Sequence, residues 1–308
     1  MRLRVIETLP AGAFPSQTIV AGTCARIFTG APLPEGADSV IRQEDTDYGA
    51  ETVSIVRDRD IGVNIRKTGE DIRRNSTVLT AGMELGPAHL GVLASLAVAN
   101  PVIYRRPRVG IMGSGDEIVD VDQADAILSG RKIASSNTHT LMALVRHAGG
   151  EPVNLGIARD TPESLREHLR RALECDLLVT SAGISVGEHD YVRQVMSELG
   201  ADLKFWKLRM RPGAPVGFGL LGSTPWLGLP GNPVSTMVTF ELCVRPAIRK
   251  IGGRTRHFGR AIPGTVAATV TVSLRPRRYV RPRITRGAGG GRVATRGHER
   301  QGRLTVAR

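Results

Sequence analysis

Hydrophobic and polar positions along the chain change rhythm three times. Up to about residue 80, apolar and polar residues alternate in the short runs TIVAGTCARIF, DSVIRQED and TVSIVRD, with the turn-rich APLPEGA and DYGA between them. A period of two with turn signals at this spacing predicts strands, and hence a small β-domain over residues 1–80. GPAHLGVLASLAVAN reads as a helix whose small residues allow close packing, and residues 81–106 form a linker segment around it. From about Pro107 to Gly252 buried runs alternate with helical periodicity. RVGIMGS, EPVNLGIARD, DLLVTSAG and WLGL predict strands, and TLMALVRHAGG, TPESLREHLRRALEC and DYVRQVMSELG predict helices. In the second helix Thr161 suits the N-cap and Pro162 the first position. Residues 257–308 return to strand-like runs in AATVTVSL, RRYVRPRI and GRLTV, and end abruptly.

Strands alternating with helices imply a parallel sheet covered on both faces. The expected fold class is therefore α/β: a central parallel-sheet, three-layer domain over 107–252. It is flanked by an N-terminal mostly-β domain and a small C-terminal β domain. In such sheets ligands gather at the carboxyl ends of the strands. That rule selects three loops: GSGDE (Gly113–Glu117), SAGISVGEHDY (Ser181–Tyr191) and LPGNP (Leu229–Pro233). In the last, Asn232 is placed as an N-cap and Pro233 at the first helical position. The helix end is then expected to point backbone N–H groups at an anion.

Each loop also has a plain structural explanation. Asp190 suits the first turn of a helix, and Asp116 and Glu117 suit a solvated loop. Together, though, small residues, the hydroxyls Ser181 and Ser185, and acids on two of the three loops fit a phosphate held through a hard cation. RMRPGAP adds Arg209 and Arg211 beside a Pro-Gly turn, and arginine forks match oxyanions. No Ser/His/Asp arrangement for nucleophilic catalysis is legible.

Composition changes this picture only at one end. At 308 residues, 41% hydrophobic and 23% charged, the chain is that of a globular protein of two or three domains. Cys24, Cys175 and Cys243 are odd in number and lack CxxC spacing, which argues for reduced thiols in a cytoplasm and against a zinc site. No signal-peptide pattern opens the sequence, and no apolar run is long enough for a membrane span. The net charge of +13 resides wholly between Ile251 and Arg308, which hold fourteen arginines, no lysine and one acid, Glu299. The segment has few aromatics to stack on bases, so it argues weakly for nucleic acid and better for another anion.

TGAPLPEGADSV (Thr29–Val40), NIRKTGEDI (Asn64–Ile72), GSGDE, TSAGISVGEHDYV (Thr180–Val192), MRPGAP (Met210–Pro215) and GLPGNPVS (Gly228–Ser235) occur in one order. With them the chain resembles the molybdopterin molybdenumtransferases, the molybdenum insertases similar to the gephyrin E domain, along almost its whole length. The resemblance implies an elongated homodimer, with residues 81–106 contributing to dimerisation. It implies adenylylated molybdopterin and molybdate as substrates, AMP as the released product, Mg2+ as the assisting cation, and a molybdopterin-adenylylating enzyme as partner. Carried over by motif, the metal residues are Asp116, Glu117 and Asp190. The pterin and anion pocket takes Ser114, Gly115, Asn137, Ser181, Gly183, Ser185, Gly187, Pro215, Pro230, Gly231, Asn232 and Arg281. Asp190, Arg211 and Ser235 take the catalytic places.

Several positions depart from the family's pattern. Arg211 and Ala214 stand for the two lysines of its KPGKP element, and Ser135 for the acid of its DSN element. Ala182 replaces a glycine where φ > 0 is expected, and Gln301 replaces a serine. The SxxDGYA-type N-terminal segment is not found, which leads to the expectation of a late start relative to the family. Two functions remain: an insertase, or a weakened or inactive paralogue that binds molybdopterin or a partner without turnover.

Overall fold

The computed structural model describes residues 1–182 and 191–259 in full, Tyr279, and the backbone of four short strands beyond residue 264. The chain forms two compact units, Met1–Val78 and Leu79–Arg308.

The first unit is built on a three-stranded sheet of β1 (Arg2–Leu9), β2 (Thr23–Ile27) and β3 (Thr52–Ser54). β1 is central, parallel to β2 and antiparallel to β3. The longest strand of the unit is thus the opening RLRVIETL, which was not among the runs expected to be strands. DSVIRQED, expected to be a strand, is not one: it runs irregularly into a 3-10 turn at Gln43–Asp45. Its acid Asp45 is buried and takes two hydrogen bonds from Arg59, at 2.6 and 2.9 Å. Asp60, also buried, is held by Arg42 at 2.8 and 3.1 Å. These charge pairs, absent from any periodicity rule, fix the loop between β2 and β3.

The second unit opens with α1 (Pro87–Ser95) and continues through β4 (Arg108–Ser114) and a small insertion, β5 (Ile118–Val119), α2 (Ala124–Leu128) and β6 (Ile133–Ala134). Then follow α3 (Ser136–Ala148), β7 (Glu151–Ala158), α4 (Pro162–Ala172), β8 (Leu177–Ser181), α5 (Tyr191–Glu198), β9 (Asp202–Phe205) and β10 (Met210–Arg211). β11 (Gly217–Leu221), β12 (Thr224–Leu229), α6 (Pro233–Thr239) and α7 (Arg245–Ile251) complete the layers, α6 passing into α7 through a π-helical turn, Phe240–Val244. Beyond them lie β13 (Thr265–Val266), β14 (Arg277–Arg278), β15 (Arg283–Gly287) and β16 (Gly290–Ala294).

Six strands make one sheet in the order β7-β4-β8-β12-β11-β9. β7, β4, β8 and β12 are mutually parallel, as alternation with helices requires, but β11 is antiparallel to both its neighbours. The two-residue connection between β11 and β12, Gly222-Ser223, makes a hairpin, so one edge of the sheet departs from the all-parallel expectation. Helices cover both faces. Val109 and Ile111 of β4 and Leu177 and Val179 of β8 pack with Leu141 and Val145 of α3 and with Phe240, Val244 and Ile248. On the other face Met112, Leu155, Leu178 and Trp226 pack with Leu165 and Leu169 of α4 and Val195 and Met196 of α5. Successive residues of one strand thus serve opposite layers, which is why the strands read as unbroken apolar runs.

Candidate functional site at the carboxyl ends of the strands

Parallel register decides where the loops go. Gly113 of β4 pairs with Ser181 of β8, and Ser181 with Leu229 of β12. The three selected loops therefore leave the sheet side by side. The first turn of α3 closes over them: the Asn137 amide donates to Ser181 Oγ and to the Gly231 carbonyl, each at 2.8 Å. Because the Gly231 oxygen can only accept, the amide is oriented with Nδ2 toward it. Its Oδ1 is then buried without a partner among the described residues, and so is Ser114 Oγ at the end of β4. Buried polar atoms are nearly always paired, and leaving one unpaired costs about 1–3 kcal/mol. Two at one end of one sheet mark a place built for something other than packing. The loops are also close: a Cβ on Gly231 would stand 3.5 Å from Ala182 Cβ.

Asn232 caps α6 as the sequence predicts, with Pro233 at the first helical position. The consequence differs from the expectation. Asn232 Oδ1 accepts from Val234 N at 3.0 Å and Ser235 N at 3.3 Å, and Pro233 has no N–H. The first-turn donors are spent within the chain, so an anion here would have to be met by side chains. Thr236 Oγ1 donates to Pro230 O at 2.6 Å, fixing the loop from below, and Ser235 is buried.

At the end of β4, Gly115 has φ 133, and a Cβ there would press on the Glu117 carboxylate. Asp116 and Asp160 embrace reciprocally: the Asp116 N–H donates to Asp160 Oδ2 at 3.4 Å and the Asp160 N–H to Asp116 Oδ1 at 3.3 Å. Lys132 Nζ donates to the Asp116 carbonyl at 2.7 Å. Asp160 was not among the expected residues. It follows β7, and applying the strand-end rule to the fourth parallel strand would have found it. Farther out, His139 and Asp120 meet at 2.8 Å, and this bond, aided by the Val121 N–H, holds the Asp120 carboxyl below its ordinary value. Ser135 is buried and its hydroxyl bonds Thr138 Oγ1 at 2.7 Å.

The Met210–Pro215 turn packs on α6. Gly213 (φ 96) could not carry a Cβ without striking Thr239 Cγ2, and Ser235 O would be 3.8 Å from it. Arg211 and Pro215 are exposed beside it, and Met210 is buried. The structure thus brings together Ser114, Gly115, Asp116, Glu117, Asn137, Ser181, Pro230, Gly231 and Asn232, with Arg211, Pro215 and Ser235 on the neighbouring corner. Gly183, Ser185, Gly187, Asp190 and Arg281 lie outside the described residues. Among the described residues no group of three or more His, Cys, Asp or Glu side chains could hold a metal ion. None of their helices is long and apolar enough to cross a membrane.

Residues 110–250 match the family described as a probable molybdopterin binding domain, and residues 3–97 match the MoeA N-terminal region (domain I and II). A molybdopterin molybdenumtransferase of Nostoc sp. is 39% identical over 260 residues, covering 83% of this chain and 59% of that protein. Molybdopterin molybdenumtransferase 2 of Mycobacterium tuberculosis is 34% identical over 293 residues, covering 93% of this chain and 72% of its relative. The chain belongs to the molybdopterin molybdenumtransferase family. Among solved structures, a molybdopterin biosynthesis moeA protein from Pyrococcus horikoshii OT3 superposes with a TM-score of 0.76 over 99% of this chain and 73% of that one, at 26% identity. This member of the molybdenumtransferase family spans 59% and 58% of the Nostoc and Haemophilus influenzae relatives.

Proposed function

We propose that the chain performs the metal-inserting step of molybdenum-cofactor synthesis, in which molybdate enters adenylylated molybdopterin and AMP is released. One observation carries the reading: Asn137 ties the ends of the loops after β8 and β12 to the first turn of α3, while its Oδ1 and Ser114 Oγ are buried and unpaired among the described residues. Ser114, Gly115, Asn137, Ser181, Pro230, Gly231 and Asn232, with Gly183, Ser185 and Gly187, would bind and orient the pterin and its nucleotide. Molybdate is a tetrahedral dianion and needs hydroxyls and cations. Arg211 and Ser235, beside Pro215 and Arg281, would hold it, since the N–H groups of α6 are already used.

The donors that Asp116 and Glu117 offer are all oxygens, the chemistry a hard cation takes, and with Asp190 they would hold Mg2+. Bound there, the ion would neutralise charge developing as AMP separates. The reading includes a cytoplasmic homodimer and a molybdopterin-adenylylating enzyme as the supplier of substrate.

A second reading is favoured by Ser135. Its hydroxyl is committed to Thr138 where the family pattern has an acid, and Ala214 removes a cation. On that reading the chain binds molybdopterin or a partner without turnover. Incubating the purified chain with adenylylated molybdopterin, Mg2+ and molybdate separates the two. AMP release that rises with molybdate is expected for insertion; tight pterin binding with no AMP release would reject it in favour of the second reading.

A further inference from the structure

Asp116 and Glu117 are both exposed, on the loop that leaves the sheet after β4. Exposed carboxylates on a loop hold a cation well only when the backbone beneath them is fixed, since ordering them at the moment of binding costs affinity. Each peptide unit is a rigid plane, so the planes on either side of Glu117 set the direction of its side chain. The insertion between β4 and α3 holds both planes. The carbonyl before Glu117, that of Asp116, accepts from Lys132 Nζ at 2.7 Å. The carbonyl of Glu117 itself accepts from the Ile133 N–H at 2.8 Å. Asp116 is gripped from its other side by the exchange with Asp160. The Glu117 carboxylate comes to rest over Gly115, where a Cβ would stand 2.8 Å from its Oε2.

Two consecutive residues of the insertion thus fix two consecutive peptide planes. The Ile133 contact is made by backbone and is open to any residue there but proline. The Lys132 contact depends on the side chain. Lys132 is half-buried, and among the described residues it makes no ion pair. Its ammonium goes to a main-chain oxygen in a stretch that offers Asp116, Glu117 and Asp120 as alternatives. A lysine serving only as a counter-charge would stand on a carboxylate.

We propose that Lys132 is a positioning residue: through the Asp116 carbonyl it sets the peptide plane that aims the Asp116 and Glu117 carboxylates at the rim. The inference rests on the reading that these two side chains take a hard cation. Charge alone predicts the opposite of positioning. An ammonium beside a cation site repels the ion, so deleting it would tighten binding if charge were its whole effect. Losing a bond that orients the ligands weakens binding.

Mn2+ is the probe, added to the purified full chain and followed by loss of the free-ion electron paramagnetic resonance signal. Glu117→Gln should weaken uptake about tenfold or more, which assigns the ion to this loop. Lys132→Met keeps the stem, removes the donor and should weaken uptake about tenfold. Lys132→Arg keeps a charged donor and should stay within about threefold of wild type. Arg131→Met is the charge control: Arg131 Nε donates to Ser129 Oγ at 2.9 Å, so its loss should leave uptake equal or slightly tighter. Circular dichroism shows which variants fold, and Lys132→Gln, with a shorter neutral side chain, carries the same expectation should Lys132→Met not fold. Uptake by the folded variant equal to or tighter than wild type overturns the inference while the cation reading stands. No uptake by the wild-type chain, or uptake that Glu117→Gln leaves unchanged, overturns both.

Discussion

Ala182 leaves β8 with φ 73, a left-handed conformation that glycine adopts freely and an L-residue adopts at a cost of about 1–2 kcal/mol. Its N–H is fixed to the Leu229 carbonyl at 3.2 Å, and its Cβ faces Gly231, so the backbone cannot relax away. Ala182→Gly should therefore stabilise the chain by about 1 kcal/mol, after subtracting the extra entropy glycine brings to the unfolded state. Urea denaturation reads the change, and a midpoint unmoved or lowered would contradict the strain. The sequence flagged this position because the motif it resembles has glycine there. It could not show that the left-handed turn is kept when the glycine is not. Asn137 illustrates the converse: the motif named it, but only the folded chain shows its amide reaching Ser181, 44 residues further on, and Gly231, 94 residues further on.

Among elements, the loop between β2 and β3 depends on charge where the central sheet depends on apolar area. Arg42 hydrogen-bonds Asp60 and holds its carboxyl below the ordinary value, against the opposing effect of burial. A depressed carboxylate contributes stability that is present above the unfolded pKa and is lost as pH falls through the folded one. The Met1–Val78 unit should accordingly weaken as the solution is taken below the ordinary aspartate range near pH 4. Arg42→Ala should lower stability at neutral pH and flatten this acid limb. Thermal melts of both proteins between neutral and strongly acidic pH check it; parallel curves would refute the assignment. In the central layers, by contrast, apolar runs fixed β4, β7, β8, β12 and their helices closely. They failed at β11, because a Gly-rich strand such as GFGLL carries little pattern until its hairpin partner is known.

For the molecule as a whole, the feature that calls for a partner is α1 and the chain after it. None of its helical residues is buried, and Leu90, Leu96, Val102, Ile103 and Tyr104 are exposed in a segment poor in charge up to Arg105. Apolar surface of this extent is normally covered by another molecule. The homodimer proposed for this chain would use it. Light scattering on the purified chain should give a dimer mass, and Leu90→Asp combined with Val102→Asp should give a folded monomer. A wild-type monomer at micromolar concentration, or a double variant that remains dimeric, would remove this surface from the interface.

The sequence alone determined the alternation of strand and helix over the central region, the caps at Thr161 and Asn232, and which loops leave the strand ends. These follow from local periodicity and backbone chemistry, which need no distant partner. Tertiary structure decided the rest: the antiparallel β11 edge, the buried charge pairs around Asp45 and Asp60, and the Asp116–Asp160 embrace. Each of these is a hydrogen-bonding arrangement whose partners only a completed fold brings within reach, and short-range pattern carries no information about them.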